Sequence, residues 1–157
     1  MADIKDPENT LILETSKGRA VISLRPDLAP NHVARIKELA RKGFYDGTPF
    51  HRVIEGFMAQ GGDPTGTGTG GSGKKLKAEF NRQPHKRGTA SMARAQSPDS
   101  ADSQFFICFG DAGFLDGQYT VWGQVIEGME NIDKIKRGEP VKDPDKIVSL
   151  KVAADVK

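Results

Sequence analysis

Short runs of apolar and β-branched residues, cut by turn signals, dominate this chain. Thr10 to Glu14 (TLILE) and Arg19 to Leu24 (RAVISL) both read as strands, and Ser16-Lys17-Gly18 between them predicts a hairpin. The period then changes. From Asp27 to Lys42, Val33, Ile36 and Leu39–Ala40 recur every three to four residues, which predicts a helix. Pro30 suits its first turn, and Gly43 suits its C-terminal stop. Phe50 to Ile54 and Phe57 to Gln60 are apolar runs joined at Glu55-Gly56. Strands are further predicted at Thr89 to Ala93, Gln104 to Phe109, Thr120 to Val125 and Ile147 to Val152. Met129 to Lys136 reads as a short helix that Gly138 could end. About eight strands and two helices result. A closed eight-stranded antiparallel barrel capped by two α-helices satisfies the pattern without exposed edges. Periodicity alone supports a mostly β protein and no more.

Length and composition narrow the class. The 157 residues suit one domain, taken as 1–157, with a single core. Hydrophobic residues at 36% and charged residues at 28% are those of a soluble globular protein. A net charge of +2, from 23 basic and 21 acidic residues, argues against a protein built to hold nucleic acid. The one cysteine excludes an intrachain disulfide. No apolar run approaches the roughly 18 residues of a membrane span. The opening MADIKDPENT is polar and acidic, unlike a secretory signal, so a cytoplasmic protein is expected. No heptad or long apolar helix face invites assembly, and a monomer is expected.

Some motifs point the wrong way. Seven of the 18 glycines lie between Gly61 and Gly73. They contain Gly66-x-Gly68-x-x-Gly71, a formal dinucleotide fingerprint, but without the strand before and helix after that the motif requires. Gly68 to Lys74 nearly spells a phosphate-binding loop, yet Lys75 stands where a magnesium-binding hydroxyl is needed. Ser72 lacks the closing glycine of a nucleophile elbow. His32, His51 and His85 show no metal-ligand spacing among themselves or with Cys108. Cys108, inside Phe105-Phe106-Ile107-Cys108-Phe109, reads as a buried small hydrophobe. Asp99, Asp102, Asp111 and Asp116 are scattered over turns, and nothing selects a catalytic pair.

One constellation carries chemistry. Phe50-His51-Arg52-Val53-Ile54 can point Arg52 to one sheet face, and Phe57-Met58-Ala59-Gln60-Gly61-Gly62-Asp63 follows it. Ser103-Gln104-Phe105-Phe106 and Phe114-Leu115-Asp116-Gly117 add further polar and aromatic groups. With Ser91 to Ala93 and Trp122-Gly123, these ordered segments resemble the cyclophilin family of peptidyl-prolyl cis/trans isomerases, in its short single-domain bacterial type. The resemblance covers essentially the whole chain.

The resemblance implies an isomerase of X–Pro bonds with no metal or cofactor, acting on proline-containing peptides and folding protein clients. It implies that Arg52 is the catalytic arginine and that Phe57, Met58, Phe106 and Leu115 line the proline pocket. It gives Gln60 a hydrogen bond to substrate backbone, and Ala93 and Arg94 the edge along which that backbone lies. Gln104 contacts the same groove, and Phe114 and Tyr119 border the pocket. Three positions depart from the familiar pattern. Phe114 replaces a tryptophan whose indole N–H contacts cyclosporin, so weakened cyclosporin binding is expected. Tyr119 stands where a histidine is common, and it keeps an aromatic face and polar tip. Arg94 replaces an asparagine used through its backbone, and adds positive charge beside the groove.

These residue types suit the reaction. Rotation about X–Pro breaks amide resonance, at a barrier of roughly 18–20 kcal/mol. It localises the lone pair on the prolyl nitrogen, and a guanidinium aimed there binds the twisted state best. No bond is made or cut, so no nucleophile is needed. A second reading stays open: a module or chaperone that binds proline segments, with catalysis incidental. Arg52 favours the enzyme, because a binder needs no donor for a twisted amide.

Overall fold

The computed structural model describes residues 6–68 and 70–156. The first five positions of the MADIKDPENT stretch, and Thr69 within the glycine run, lie outside the described residues. Among the described residues there are eight strands: β1 (Thr10–Thr15), β2 (Gly18–Leu24), β3 (Arg52–Ile54), β4 (Met58–Gly61), β5 (Thr89–Met92), β6 (Phe105–Cys108), β7 (Val121–Glu127) and β8 (Ile147–Val152). Two α-helices, α1 (Pro30–Arg41) and α2 (Met129–Ile132), accompany them, with three short 3-10 turns.

The strands form one antiparallel sheet in the order β3-β4-β6-β5-β7-β2-β1-β8. Its two ends curl toward each other. The Gly47, Phe50 and Ile147 N–H groups donate to Ile147, Asp145 and Thr48 carbonyls at 2.7, 2.9 and 2.8 Å. The expected strand-to-strand closure is not found. Among the described residues β3 and β8 share no ladder, and their flanks meet only through these bonds and the isolated bridge Pro49–Lys146. Pro49 has no N–H to extend that pairing, and β3 is three residues long. The architecture is therefore an open, curled sheet with two helices.

The helix boundaries follow local chemistry. α1 starts at Pro30, later than the Asp27 predicted. Pro30 occupies the first turn, where a missing N–H costs nothing. Gly43, at φ +71°, ends the helix, with its N–H on the Ala40 carbonyl and that of Phe44 on Leu39. α2 is one turn, not the longer helix expected to Lys136. Beyond it, Lys134 and Ile135 donate to carbonyls three residues back, which tightens the chain out of α geometry.

Alternation along the strands separates two apolar clusters. Leu11, Leu13, Ile22, Ala59, Phe105, Ile107 and Trp122 face the inside, where Val33, Ile36 and Leu39 of α1 join them. Met58, Phe106 and Cys108 face the outside and form a second cluster with Ala112 and Leu115. β6 is buried at all four positions because both of its faces are covered.

Candidate active site on the outer face

The second cluster is the floor of a small pocket of about 100 Å³. Register builds it. Arg52 pairs with Gln60 across β3 and β4, and Gln60 pairs with Phe106 across β4 and β6. All three side chains therefore stand in one row on the outer face. Phe57, Met58, Ala93, Arg94 and Tyr119 complete the lining. Phe106 is held on two sides. The His85 ring stacks on it at 6.1 Å, and Tyr119 meets it edge-on at 5.7 Å.

Arg52 is exposed but gripped. Its Nε donates to Glu139 Oε1 at 3.0 Å, and its Nη1 donates to Gln60 Oε1 at 3.4 Å. Nη2 has no partner among the described residues. A pair this exposed contributes at most about 1 kcal/mol to stability. Its importance is orientation, since it leaves a charged N–H edge over an apolar floor.

The remaining expected residues lie around this pocket. Leu115 is buried in the cluster beneath it. Phe114 is 67% exposed, with its ring 5.3 Å from that of Phe57 at the rim. Gln104 lies one step further out, in a wider cleft of about 430 Å³ that shares Gln60, Ala93 and Arg94 with the pocket.

The glycine run forms part of that wider cleft, and its backbone is already engaged. Asp63 is fully buried at its root. Its carboxylate accepts from Thr65 N–H (2.8 Å), the Thr65 hydroxyl (2.7 Å), Gly68 N–H (2.6 Å) and Gly70 N–H (3.1 Å). Burial alone would raise its pKa. The hydroxyl bond and the backbone bonds outweigh burial and hold it at about 2. A Cβ on Gly70 would overlap that carboxylate, and one on Gly71 would overlap Asp102. Asp102 in turn accepts from the Ser72 and Gly73 N–H groups. The glycines thus let the backbone wrap two carboxylates.

Sequence reasoning missed several supporting residues. His85 Nδ1 lies 2.9 Å from Asp116 Oδ1, and its Nε2 lies 3.0 Å from the Ser91 hydroxyl. The His85 backbone N–H and ring both lower the Asp116 pKa. Arg94 does far more than lend its backbone. Its guanidinium donates to the carbonyls of Gln118, Ala95 and Gln96, and lies 4.7 Å over the Tyr119 ring. Cys108 is buried as expected. Burial, with the nearby Asp116 charge, pushes its thiol up to about 12, so it is inert as a nucleophile.

Comparison with known proteins places this geometry. The sequence pattern described as "Cyclophilin type peptidyl-prolyl cis-trans isomerase/CLD" matches residues 10–152. The chain belongs to the cyclophilin family. A probable peptidyl-prolyl cis-trans isomerase of Brucella suis is 52% identical over an alignment covering 99% of this cyclophilin and 88% of the relative. A peptidyl-prolyl cis-trans isomerase of Synechococcus elongatus is 46% identical over 92% of this chain and 96% of its own. Among solved structures, a cyclophilin from Hirschia baltica superposes with a TM-score of 0.90 at 33% identity, covering 97% of this chain and 76% of that one. A Cryptosporidium parvum cyclophilin-type isomerase, crystallised in the presence of the dipeptide Ala-Pro, gives 0.84 at 30% identity, covering 91% and 98%.

Proposed function

We propose that this cyclophilin accelerates rotation about X–Pro bonds, with Arg52 as the catalytic group and the adjoining pocket as the seat of the proline ring. The observation that carries the reading is the Arg52 guanidinium, held at Nε and Nη1 with Nη2 unpartnered among the described residues, beside an apolar floor.

The physics follows from that arrangement. Phe57, Met58 and Phe106 take the ring and exclude water from one side of the rotating bond, with Leu115 packed behind them. Gln60, Gln104 and the Ala93–Arg94 edge hold the peptide chain along the wider cleft, while Phe114 and Tyr119 border the ring. With one side fixed, the other turns. In the planar amide the prolyl nitrogen lone pair is delocalised and accepts poorly. In the twisted state it is localised, and the Arg52 N–H edge gains a charge-assisted bond. Loss of one preorganised donor costs about 2.7–4 kcal/mol in comparable sites, or roughly 10²–10³ in turnover. Arg52→Ala is expected to lose that much in an exchange assay on an X–Pro peptide. A loss below threefold would contradict the role.

The wider proposal is a single-domain monomer that assists slow folding steps of protein clients and binds cyclosporin weakly. The exposed Phe114, without an indole N–H, supports the last point. The single buried cysteine suits a reducing cytoplasm.

A further inference from the structure

Asp63 takes no part in the chemistry above, yet it is fully buried and bears four hydrogen bonds from one short loop. Its Oδ2 gathers the N–H groups of Gly68 and Gly70. The carbonyls of the same two residues turn the other way. Both accept from Gln104 Nε2, at 2.9 and 3.0 Å. Gln104 Oε1 then accepts from Gln60 Nε2 at 2.9 Å, and Gln60 Oε1 faces Arg52. The chain runs unbroken from a buried carboxylate to the guanidinium.

We propose that Asp63 is a positioning residue for the isomerase reaction, which sets through Gly68, Gly70 and Gln104 which end of the Gln60 amide meets Arg52. The argument is one of parity. The two ends of a primary amide have nearly the same shape, so hydrogen-bond partners alone decide its orientation. Two loop carbonyls are acceptors only, so Gln104 must give them its NH₂ and turn its oxygen to Gln60. Gln60 must then offer its NH₂ to Gln104 and its oxygen to Arg52. Free the loop and Gln104 can turn over. Gln60 then turns with it and sets an NH₂ against the guanidinium, donor against donor. Arg52 loses its Nη1 tether and keeps only Glu139.

Asp63→Asn tests the relay, because an amide has one acceptor end for two sets of donors, so its NH₂ must face either the Gly68 and Gly70 N–H groups or the Thr65 N–H, and the loop loses part of its hold. The inference rests on the Arg52 reading, so the series includes Arg52→Ala. Exchange of an Ala-Pro peptide is measured by NMR on the full chain. Asp63→Asn is expected to lower kcat/KM about five- to tenfold, the value of one such hydrogen bond. It should change kcat more than peptide affinity. The decisive comparison is the double variant with Gln60→Ala. Once Gln60 is gone, Asp63→Asn should have almost no further effect on kcat/KM. Gln104→Leu breaks the relay without touching Asp63; it also removes a peptide contact, so it should match the loss and the non-additivity in kcat and add a rise in KM. A purely structural role would instead lower activity by the same factor with or without Gln60, and that result would overturn the proposal. So would a loss confined to peptide affinity. If Arg52→Ala itself proves harmless, the Arg52 reading falls, and this one with it. If Arg52→Ala collapses activity while Gln104→Leu does not, only the relay falls.

Discussion

Protonation of Asp63 gives the sharpest stability prediction. Four hydrogen bonds lower its pKa from 3.8 to about 2 in the folded chain. At about 1.4 kcal/mol per pK unit, that difference contributes about 2 kcal/mol of folding stability. The sign follows from the direction of the shift. A depressed carboxylate pKa contributes fully above the unfolded value of 3.8, and its contribution is lost as pH falls through the folded value of about 2. Asp63→Asn removes the ionised acceptor at every pH. The stability gap between the parent chain and the variant should therefore stay constant from about pH 8 to pH 5. It should then narrow by about 2 kcal/mol as pH falls to about 2. About 2 kcal/mol is a large part of a typical 5–15 kcal/mol total, yet leaves the variant folded at neutral pH. Urea denaturation of both proteins across this range measures the gap. Carbon-13 titration of the Asp63 carboxyl group reads its midpoint directly. A gap that does not narrow between pH 5 and the acid limit would refute the reasoning, as would a carboxyl midpoint at or above 3.8.

Two predictions concern the rim of the site. Phe114→Trp restores an indole N–H at a 67% exposed position and should tighten cyclosporin by about tenfold, the value of one hydrogen bond. Calorimetry that shows equal affinities would contradict the reading of that position. Arg94→Ala frees the Gln118, Ala95 and Gln96 carbonyls and uncovers Tyr119, so kcat/KM should fall about three- to tenfold, mainly through KM. Arg94→Lys should not restore it, because an ammonium lacks the planar fork that reaches all three carbonyls. Full recovery with lysine would show that charge alone matters there.

Much of the fold was legible because strand signals are local. All eight strands fall where apolar runs and turn residues put them, within one to two residues. Pro30 and Gly43 bracketed α1 through conformational preferences carried by single residues. Closure was not legible. It depends on how far a three-residue β3 reaches and on the absent N–H of Pro49, both tertiary matters. The extent of α2 also escaped, since the 3-10 bonds after Ile132 carry no pattern distinct from a helix.

The site divides in the same way. Of the eleven candidate residues, eight line the small pocket: register and alternation carry Arg52, Met58, Gln60 and Phe106 to one face, and segments beside the strands bring in Phe57, Ala93, Arg94 and Tyr119. The supporting residues were hidden because their partners are set by the fold, whether in a local loop or in distant segments. Asp63 stood at the end of the Phe57–Asp63 segment with no role assigned, and its donors emerge only when the loop folds back over it. His85 acquires meaning only from Asp116, Ser91 and Phe106, which three other segments supply. Glu139 reaches Arg52 across 87 positions. A signal for Asp63 did exist. Glycines packed so densely after an aspartate mark a backbone that must approach a side chain closely.

The central claim is that Arg52 stabilises the twisted amide. Cis/trans exchange of an X–Pro peptide, measured by NMR with the parent chain and Arg52→Ala side by side, tests it most directly. The account predicts fast exchange in the parent and a fall of roughly 10²–10³ in the variant, with peptide binding still visible as line broadening. Slow exchange in both proteins, with binding intact, would make this a proline-segment binding module. Fast exchange in both would remove Arg52 from the chemistry.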